Sequence, residues 1–526
     1  MQKKLWIIIF LTGTILRFVS LSNYPAGFTP DEASFSYNAY SLLKTGRDEW
    51  GTPFWQLPVT GLKSFGDYKL PLYSFLAVPG VKIFGLNEFS ARLPNALLGS
   101  LAILAIYALL LAVTKNNFIA TFSAFFVSLS PWAVPLSRGA FEANLAIFFI
   151  PFALALLFRK KTYLSILFFV LGVYSYHTAR LIIPPLAILA FWFWLPRAKL
   201  IKPLAVFILL LIPAMISLIM FNPRSKDISI LSPADGWKTM ADSRLQSINS
   251  GVPGPIARLM FNKPLYVLGT FVQNYRTYFS SKFLFTVGAG ESTYGMVPGS
   301  GLIYWLQLPL LIIFLYRFIK SPNRFGLLLL LLLFISPVPA ALTKGAGLAA
   351  NRTAPMLIAL SVMSGIGAWH LRRFSKFIII FTILNFTLVA ISYLNKSPLL
   401  TAKSMGYGWQ PVIGQVSSST ASQIRVSRSL SEPHAYYAFY AQMDPKAYQS
   451  DSTTWPDFIK IGFSFLDQYD GYYLGKVRFG DLKFDKPVSQ STLFIGRKED
   501  FPDGTKFQVL STYPDSTPAI VYFNKP

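Results

Sequence analysis

Arg17-Phe18 closes the first apolar run of the chain, and Pro25-Ala26-Gly27-Phe28-Thr29-Pro30-Asp31-Glu32-Ala33 follows it. The adjacent acids carry the information, because acids are scarce: 23 Asp and Glu stand against 48 Lys and Arg in 526 residues. Thr29, Pro30 and Glu32 have the spacing of a helix start, with Thr at the N-cap, Pro first and Glu third. The helix expected behind them runs from Ala33 to Lys44 and stops at Gly46. Glu32 is accounted for as half of a capping box, with catalysis as its other reading. Asp31 is not needed for the box. A first-turn acid gains about 0.3–1 kcal/mol from the helix dipole, and a catalytic role is the alternative.

Composition sets the class. Hydrophobic residues are 53% of the chain, charged residues 13%, and mean hydropathy is +0.45. Soluble domains carry about 25% charged residues. A polytopic membrane protein with some soluble mass is therefore expected. The net charge of +25 does not point to nucleic acid, because the basic residues fall between apolar runs and not in one patch. Anionic lipid headgroups and phosphate-bearing substrates fit such a distribution better. The absence of cysteine excludes disulfides and thiol chemistry, and three His make a zinc site a poor fit. A divalent metal is possible in principle but not expected. The first apolar run lacks a small-residue cleavage site and reads as a retained span.

Spans of about 17–25 apolar residues fall near 5–21, 94–113, 117–134, 143–158, 162–177, 181–196, 203–221, 302–317, 325–342, 353–369 and 376–393. Residues 70–85 are interrupted by Pro79-Gly80 and Lys82 and read as an in-plane amphipathic helix. With eleven spans and a cytoplasmic N-terminus, Lys115, Arg159–Lys161, Arg197, Arg317 and Arg372-Arg373 face inward. All acids before residue 394 then face outward, among them Asp48, Asp67, Glu142, Asp227 and Glu291. The fold expected is a multi-pass α-helical domain, 1–393, in the cell membrane. It has outer loops 22–93 and 222–301 and an extracytoplasmic α/β domain, 394–526. In that domain a helix is expected at His434–Gln442, with strands at Ser491–Gly496, Phe507–Ser511 and Ala519–Phe523.

The candidate chemistry gathers on the outer face. Glu142 opens a span, and no other acid occurs from Ala143 to Lys226. Lys69, Arg180 and Arg352 stand at outer boundaries, with Arg17 as a fourth candidate. Snorkelling explains each one singly. Basic residues at outer ends run against the positive-inside bias, and together they suit a lipid phosphate. Tyr40 and His177 are further substrate-binding candidates, and His177 reads as a polar contact, not a metal ligand.

In order, Arg17, Asp31-Glu32-Ala33, Tyr40, Gly46, Tyr68-Lys69-Leu70-Pro71, Phe84-Gly85, Ala91-Arg92-Leu93-Pro94, Arg138…Glu142, Tyr176-His177…Arg180 and Asn351-Arg352…Pro355 resemble the GT-C glycosyltransferases. The resemblance is specifically to the family 39, protein O-mannosyltransferase-like group, with the aminoarabinose lipid A transferases in the same superfamily. It covers about residues 5–370. It implies inverting transfer of a sugar from a polyprenyl-phosphate donor to a hydroxyl of a protein, glycan or lipid on the outer face. It implies Asp31 as base, and Lys69, Arg180 and Arg352 as partners of the leaving phosphate, with no metal required. Glu142 matches a second acidic position where Asp is more usual. No Trp-Trp-Asp motif occurs, which disfavours en bloc transfer to Asn.

Two other classes are open. A transporter or flippase would explain the spans, but not the long outer loops and soluble domain, and it would place ionisable groups in mid-membrane. A non-catalytic sugar-binding scaffold would be indifferent to loss of Asp31.

Overall fold

Each of the eleven apolar runs contains a helix in the computed structural model of the chain, from α1 (Gln2–Phe18) to the helix Ser375–Asn395. The structure describes residues 2–220, 229–231, 234–288, 296–297, 299–344, 349, 351–483 and 491–525. Asp227 and Glu291, expected to face outward, lie outside them. Among the described helices, four are long and apolar enough to cross a bilayer alone: Glu88–Thr114, Arg197–Met220, Arg324–Ala341 and Arg372–Asn395. Others are shorter, such as Asn117–Ser128 and Thr162–Val173. The apolar run 162–177 stays helical only to Val173, and the turn that follows sets His177 beside Tyr68 in the loop 22–93.

Three buried arginines tie the end of α1 to its neighbours. Arg17 donates to the carbonyls of Gly13 and Val127. Arg138 donates to those of Leu16 and Val19. Arg92 donates to the carbonyls of Leu21, Pro25 and Gly27. Each guanidinium replaces lost water with several carbonyl acceptors, which is what makes its burial tolerable.

The second helix, α2 (Pro30–Thr45), begins with the expected capping box and ends at Gly46 in the left-handed conformation, φ 68°. Its buried face meets the helix Leu72–Phe84, where Ser74 Oγ donates to the Phe35 carbonyl at 2.9 Å.

The C-terminal part is built on a six-stranded sheet of order β2-β3-β1-β4-β6-β5. The strands are β1 (Gln423–Ser427), β2 (Tyr472–Leu474), β3 (Val477–Gly480), β4 (Thr492–Gly496), β5 (Gln508–Thr512) and β6 (Pro518–Lys525). β1 is parallel to β3 and β4, and the remaining pairs are antiparallel. The three strands expected from sequence are β4, β5 and β6, and the expected helix is Pro433–Tyr440.

This C-terminal part shares an apolar core with the loop 22–93. Phe28, Tyr37 and Phe65 pack in one cluster with Trp409, Tyr436, Phe439 and Phe458. Polar contacts fix the docking: Tyr436 donates to the Phe28 carbonyl at 2.7 Å, and Leu466 N–H to the Phe65 carbonyl at 2.9 Å. Gly66, at φ 107°, permits the approach, since a Cβ there would stand 2.7 Å from the Ser464 carbonyl oxygen.

Candidate active site

Where the apolar helices, the loop 22–93 and the C-terminal part meet, a cavity of about 810 Å³ opens. Thr29, Asp31, Asp67 and Lys69 come from the loop 22–93, Glu142 and His177 from the segments that lead into the helices Leu145–Phe158 and Ala179–Trp194, and Arg352 from the later half. Arg428, Glu432 and Asp467 come from the C-terminal part. The cavity is thus assembled from segments far apart in sequence, from Thr29 to Gln468.

Asp31 and Glu32 are neighbours in sequence and separate in environment. Position N2 of α2 turns Asp31 to the cavity, with its side chain 37% exposed. Position N3 turns Glu32 into the protein, where it is fully buried. Glu32 accepts from Thr29 N–H at 2.8 Å, from Arg92 Nε at 2.9 Å and from Ala140 N–H at 3.0 Å. Its carboxylate joins the cap of α2, the guanidinium of Arg92 and the loop before Glu142. The sequence reading of Glu32 as a cap is what the geometry shows; the Arg92 pair is the part that reading missed. It was legible only as a buried acid needing a buried cation.

Lys69 is 4% exposed and its Nζ lies 2.5 Å from Asp31 Oδ1 and 3.1 Å from Asp67 Oδ2. Burial alone would lower its pKa, but the Asp31, Asp67 and Glu142 carboxylates outweigh it and raise the pKa above the ordinary lysine value. The ammonium is therefore held charged at the centre of three acids.

Asparagines set the Glu142 loop. Asn95 Nδ2 donates to the carbonyls of Leu136 at 2.8 Å and Gly139 at 2.7 Å, and Asn144 Nδ2 donates to Asn95 Oδ1 at 2.8 Å. His177 Nε2 lies 2.9 Å from the Tyr68 carbonyl oxygen and so bridges to the strand of chain that presents Lys69. Arg352 Nη1 donates to Thr343 Oγ1 at 2.7 Å.

The expected residues do not all converge. Arg17 is buried among carbonyls of α1 and the helix Asn117–Ser128, off the cavity wall. Arg180 is likewise behind the wall, with Nη2 donating to Ser217 Oγ at 3.1 Å. Tyr40 packs near Tyr37 and Lys44 on α2, also away from it. Asp67, Glu432 and Asp467 line the cavity and were not singled out from sequence. A tail acid has no periodicity or motif to mark it.

Among the described residues, no group of three or more His, Asp or Glu side chains is arranged to hold a metal. Lys69 occupies the space between Asp31 and Asp67 where a cation would be drawn.

Residues 69–223 match the family described as dolichyl-phosphate-mannose-protein mannosyltransferase. An uncharacterized protein of Aquifex aeolicus (strain VF5) is 30% identical over 171 residues, which is 31% of this chain. The match spans about a third of that relative's length (32%). Among solved structures, ArnT from Cupriavidus metallidurans bound to undecaprenyl phosphate aligns with a TM-score of 0.54 at 13% identity. That alignment covers 99% of this chain and 98% of ArnT. The oligosaccharyltransferase of Archaeoglobus fulgidus aligns at a TM-score of 0.47 and 16% identity, over 83% of this chain and 61% of its own.

Proposed function

We propose that this chain, which carries the fold of the GT-C membrane glycosyltransferases, moves a sugar from a polyprenyl-phosphate carrier to a hydroxyl acceptor on the outer face of the membrane. The observation that carries the reading is the Asp31–Lys69 contact on the wall of a cavity that reaches both the membrane helices and the soluble part. A base and a phosphate partner side by side are what this reaction needs. The undecaprenyl phosphate held by ArnT is of the class that leaves in the reaction proposed here, the carrier without its sugar.

In this mechanism the acceptor hydroxyl oxygen attacks the sugar C1 from the face opposite the phosphate. The new C1–O bond forms as the C1–O bond to phosphate breaks, which inverts the anomeric centre. Asp31 takes the hydroxyl proton. Polyprenyl phosphate leaves with the bonding electron pair, and Lys69 and Arg352 meet the charge that builds on it. Lys69 is shared: as its bond to the phosphate strengthens, its hold on Asp31 loosens and the carboxylate is freed to accept the proton. Glu142 positions the groups around Lys69. With Lys69 and Arg352 supplying positive charge, transfer proceeds without a metal, so chelation by EDTA leaves turnover unchanged.

The test is turnover by the purified protein of short-chain polyprenyl-phosphate sugars, read as release of polyprenyl phosphate and formation of the glycoside. Release with inversion supports the reading. Tight donor binding with no release under any acceptor would favour a carrier or scaffold.

A further inference from the structure

The soluble part contributes an acid to the cavity that the mechanism above does not use. Glu432 lines the cavity and is 5% exposed. Its Oε2 has no hydrogen-bond partner among the described residues. His434 Nδ1 lies 4.0 Å from that oxygen and is engaged at 3.0 Å with the Tyr472 hydroxyl. A buried carboxyl oxygen left unpaired loses about 1–3 kcal/mol relative to one in water. The fold tolerates that loss in a place open to a ligand.

The backbone reinforces the aim. Ser431 and Glu432 both have positive φ, 52° and 50°, and neither is glycine. Such residues cost of order 1–3 kcal/mol each when the conformation is sparsely populated. Asp467 stands beside Glu432 on the same wall. Burial, reinforced by Asp467, raises the Glu432 pKa well above the ordinary carboxylate value. Arg428, the cation nearest in sequence on this wall, donates to Asp481 at 2.7 Å and to the Gln468 carbonyl at 3.3 Å. The wall from the soluble part is therefore acidic, while the positive groups Lys69 and Arg352 sit on the membrane-domain side.

We propose that Glu432, supported by Asp467, is the acceptor-recognising residue of the cavity, and that it takes a hydrogen bond from a hydroxyl or ammonium group next to the attacking hydroxyl. The proposal rests on the glycosyltransfer reading and adds the class of acceptor. A hydroxyl or ammonium donor placed on Glu432 offsets the burial that raises its pKa and favours the carboxylate, whereas a phosphate would add negative charge beside Glu432 and Asp467, so the acceptor is neutral or cationic there and not phosphorylated. The division of labour follows: the membrane domain holds the lipid phosphate and the soluble part selects the acceptor.

The experiment uses the full-length purified protein with a short-chain polyprenyl-phosphate sugar and three acceptors: octyl glucoside, its 2-amino analogue and its 6-phosphate. Acceptor KM, donor KM and acceptor-independent hydrolysis of the donor are measured for the parent protein, Glu432→Gln and Asp467→Asn. The parent is expected to use the neutral or the amino glycoside and to discriminate against the phosphate. Preference between those two arms tells a hydroxyl partner from an ammonium. Glu432→Gln is expected to raise acceptor KM by roughly tenfold or more, the loss of one charge-assisted hydrogen bond. Donor KM and donor hydrolysis are expected to stay at parental values. A purely structural residue would lower kcat and thermal stability without that split. Should Glu432→Gln fail to fold, Asp467→Asn is expected to move acceptor KM in the same direction. Preference for the phosphate glycoside, or an unchanged acceptor KM in folded Glu432→Gln, overturns the proposal while leaving the glycosyltransfer reading in place. A parent protein that neither hydrolyses nor transfers any donor overturns both.

Discussion

Lys69 Nζ lies 2.5 Å from Asp31 Oδ1, with Lys69 buried and Asp31 open to the cavity. The pair joins the group proposed to take the proton to the group proposed to receive the phosphate. Lys69→Met removes the charge and leaves Asp31, Asp67 and Glu142 to repel one another. A drop in turnover of roughly 100-fold or more is expected, the scale of losing one electrostatic partner of the transition state, with donor affinity falling as well. Kinetics with a short-chain donor check this. Donor KM and kcat at parental values would place the phosphate elsewhere.

Glu32→Gln is a stability variant in this account. It leaves the Arg92 guanidinium buried opposite a neutral amide, with the capping box weakened. Loss of one partner of a buried ion pair costs about 3–5 kcal/mol. The expected outcome is a marked fall in thermal midpoint, with residual transfer by the fraction that remains folded. Folded, stable and inactive Glu32→Gln protein would transfer the base from Asp31 to Glu32.

Arg352→Lys and Arg180→Lys now separate. Arg352 reaches the cavity wall, and Lys cannot reproduce its bidentate geometry. Donor KM is expected to rise several-fold, by roughly 1 kcal/mol of lost hydrogen bonding. Arg180 sits behind the wall on Ser217, so Arg180→Lys is expected to change stability more than donor KM. Paired donor titrations and thermal melts distinguish the two.

Asp48 and Glu49 give the outer loop a pH dependence. Both are buried, at 1% and 3% exposure. Burial pushes the Glu49 carboxyl up to about 8, with Asp48 adding to it, and pushes Asp48 up to about 6. In the unfolded chain a Glu titrates near about 4.3 and an Asp near about 3.9. The folded state therefore binds more protons between those values, and stability falls as pH rises through this window. Their contribution is fully present below about pH 4 and is lost by about pH 8. Glu49→Gln is expected to flatten the decline and to raise stability at pH 8 relative to the parent. Denaturation series between pH 5 and 8 measure it; an equal slope in the variant would contradict the assignment.

Orientation is testable because the chain has no native cysteine. A single Cys at position 450, in the soluble part, is expected to react with a membrane-impermeant maleimide in intact cells. One at position 160 is expected to react only after permeabilisation. Labelling of position 160 from outside would reverse the proposed topology.

The helices were readable because bilayer crossing demands long apolar runs, and each expected run holds a helix. Their ends were less readable. The run 162–177 is largely apolar but its helix ends at Val173, and His177 is held on the Tyr68 carbonyl by a contact 109 residues away. Thr29-Pro30-Asp31-Glu32 was legible to the residue, because capping is local chemistry. Arg17 was misplaced for the opposite reason. An arginine at the outer end of a span looks the same in sequence whether it meets a phosphate or, as here, the carbonyls of its neighbours. β1 escaped notice because its partners, β3 and β4, are distant in sequence, and β2 and β3 because their local antiparallel pair is only three and four residues long. Glu432 was invisible for want of any local pattern. Only the docking of the soluble part brings it to the cavity.

The most direct measurement of the central claim is single-turnover release of polyprenyl phosphate by purified Asp31→Asn protein, alongside donor binding by the same sample. Asn keeps the size of the side chain and can still accept from Lys69, so the cavity stays assembled. The account predicts donor binding close to the parent and transfer lowered by at least roughly 100-fold, as expected for a lost general base. Transfer at the parental rate by folded Asp31→Asn would contradict the role of Asp31 and, with it, the proposed site.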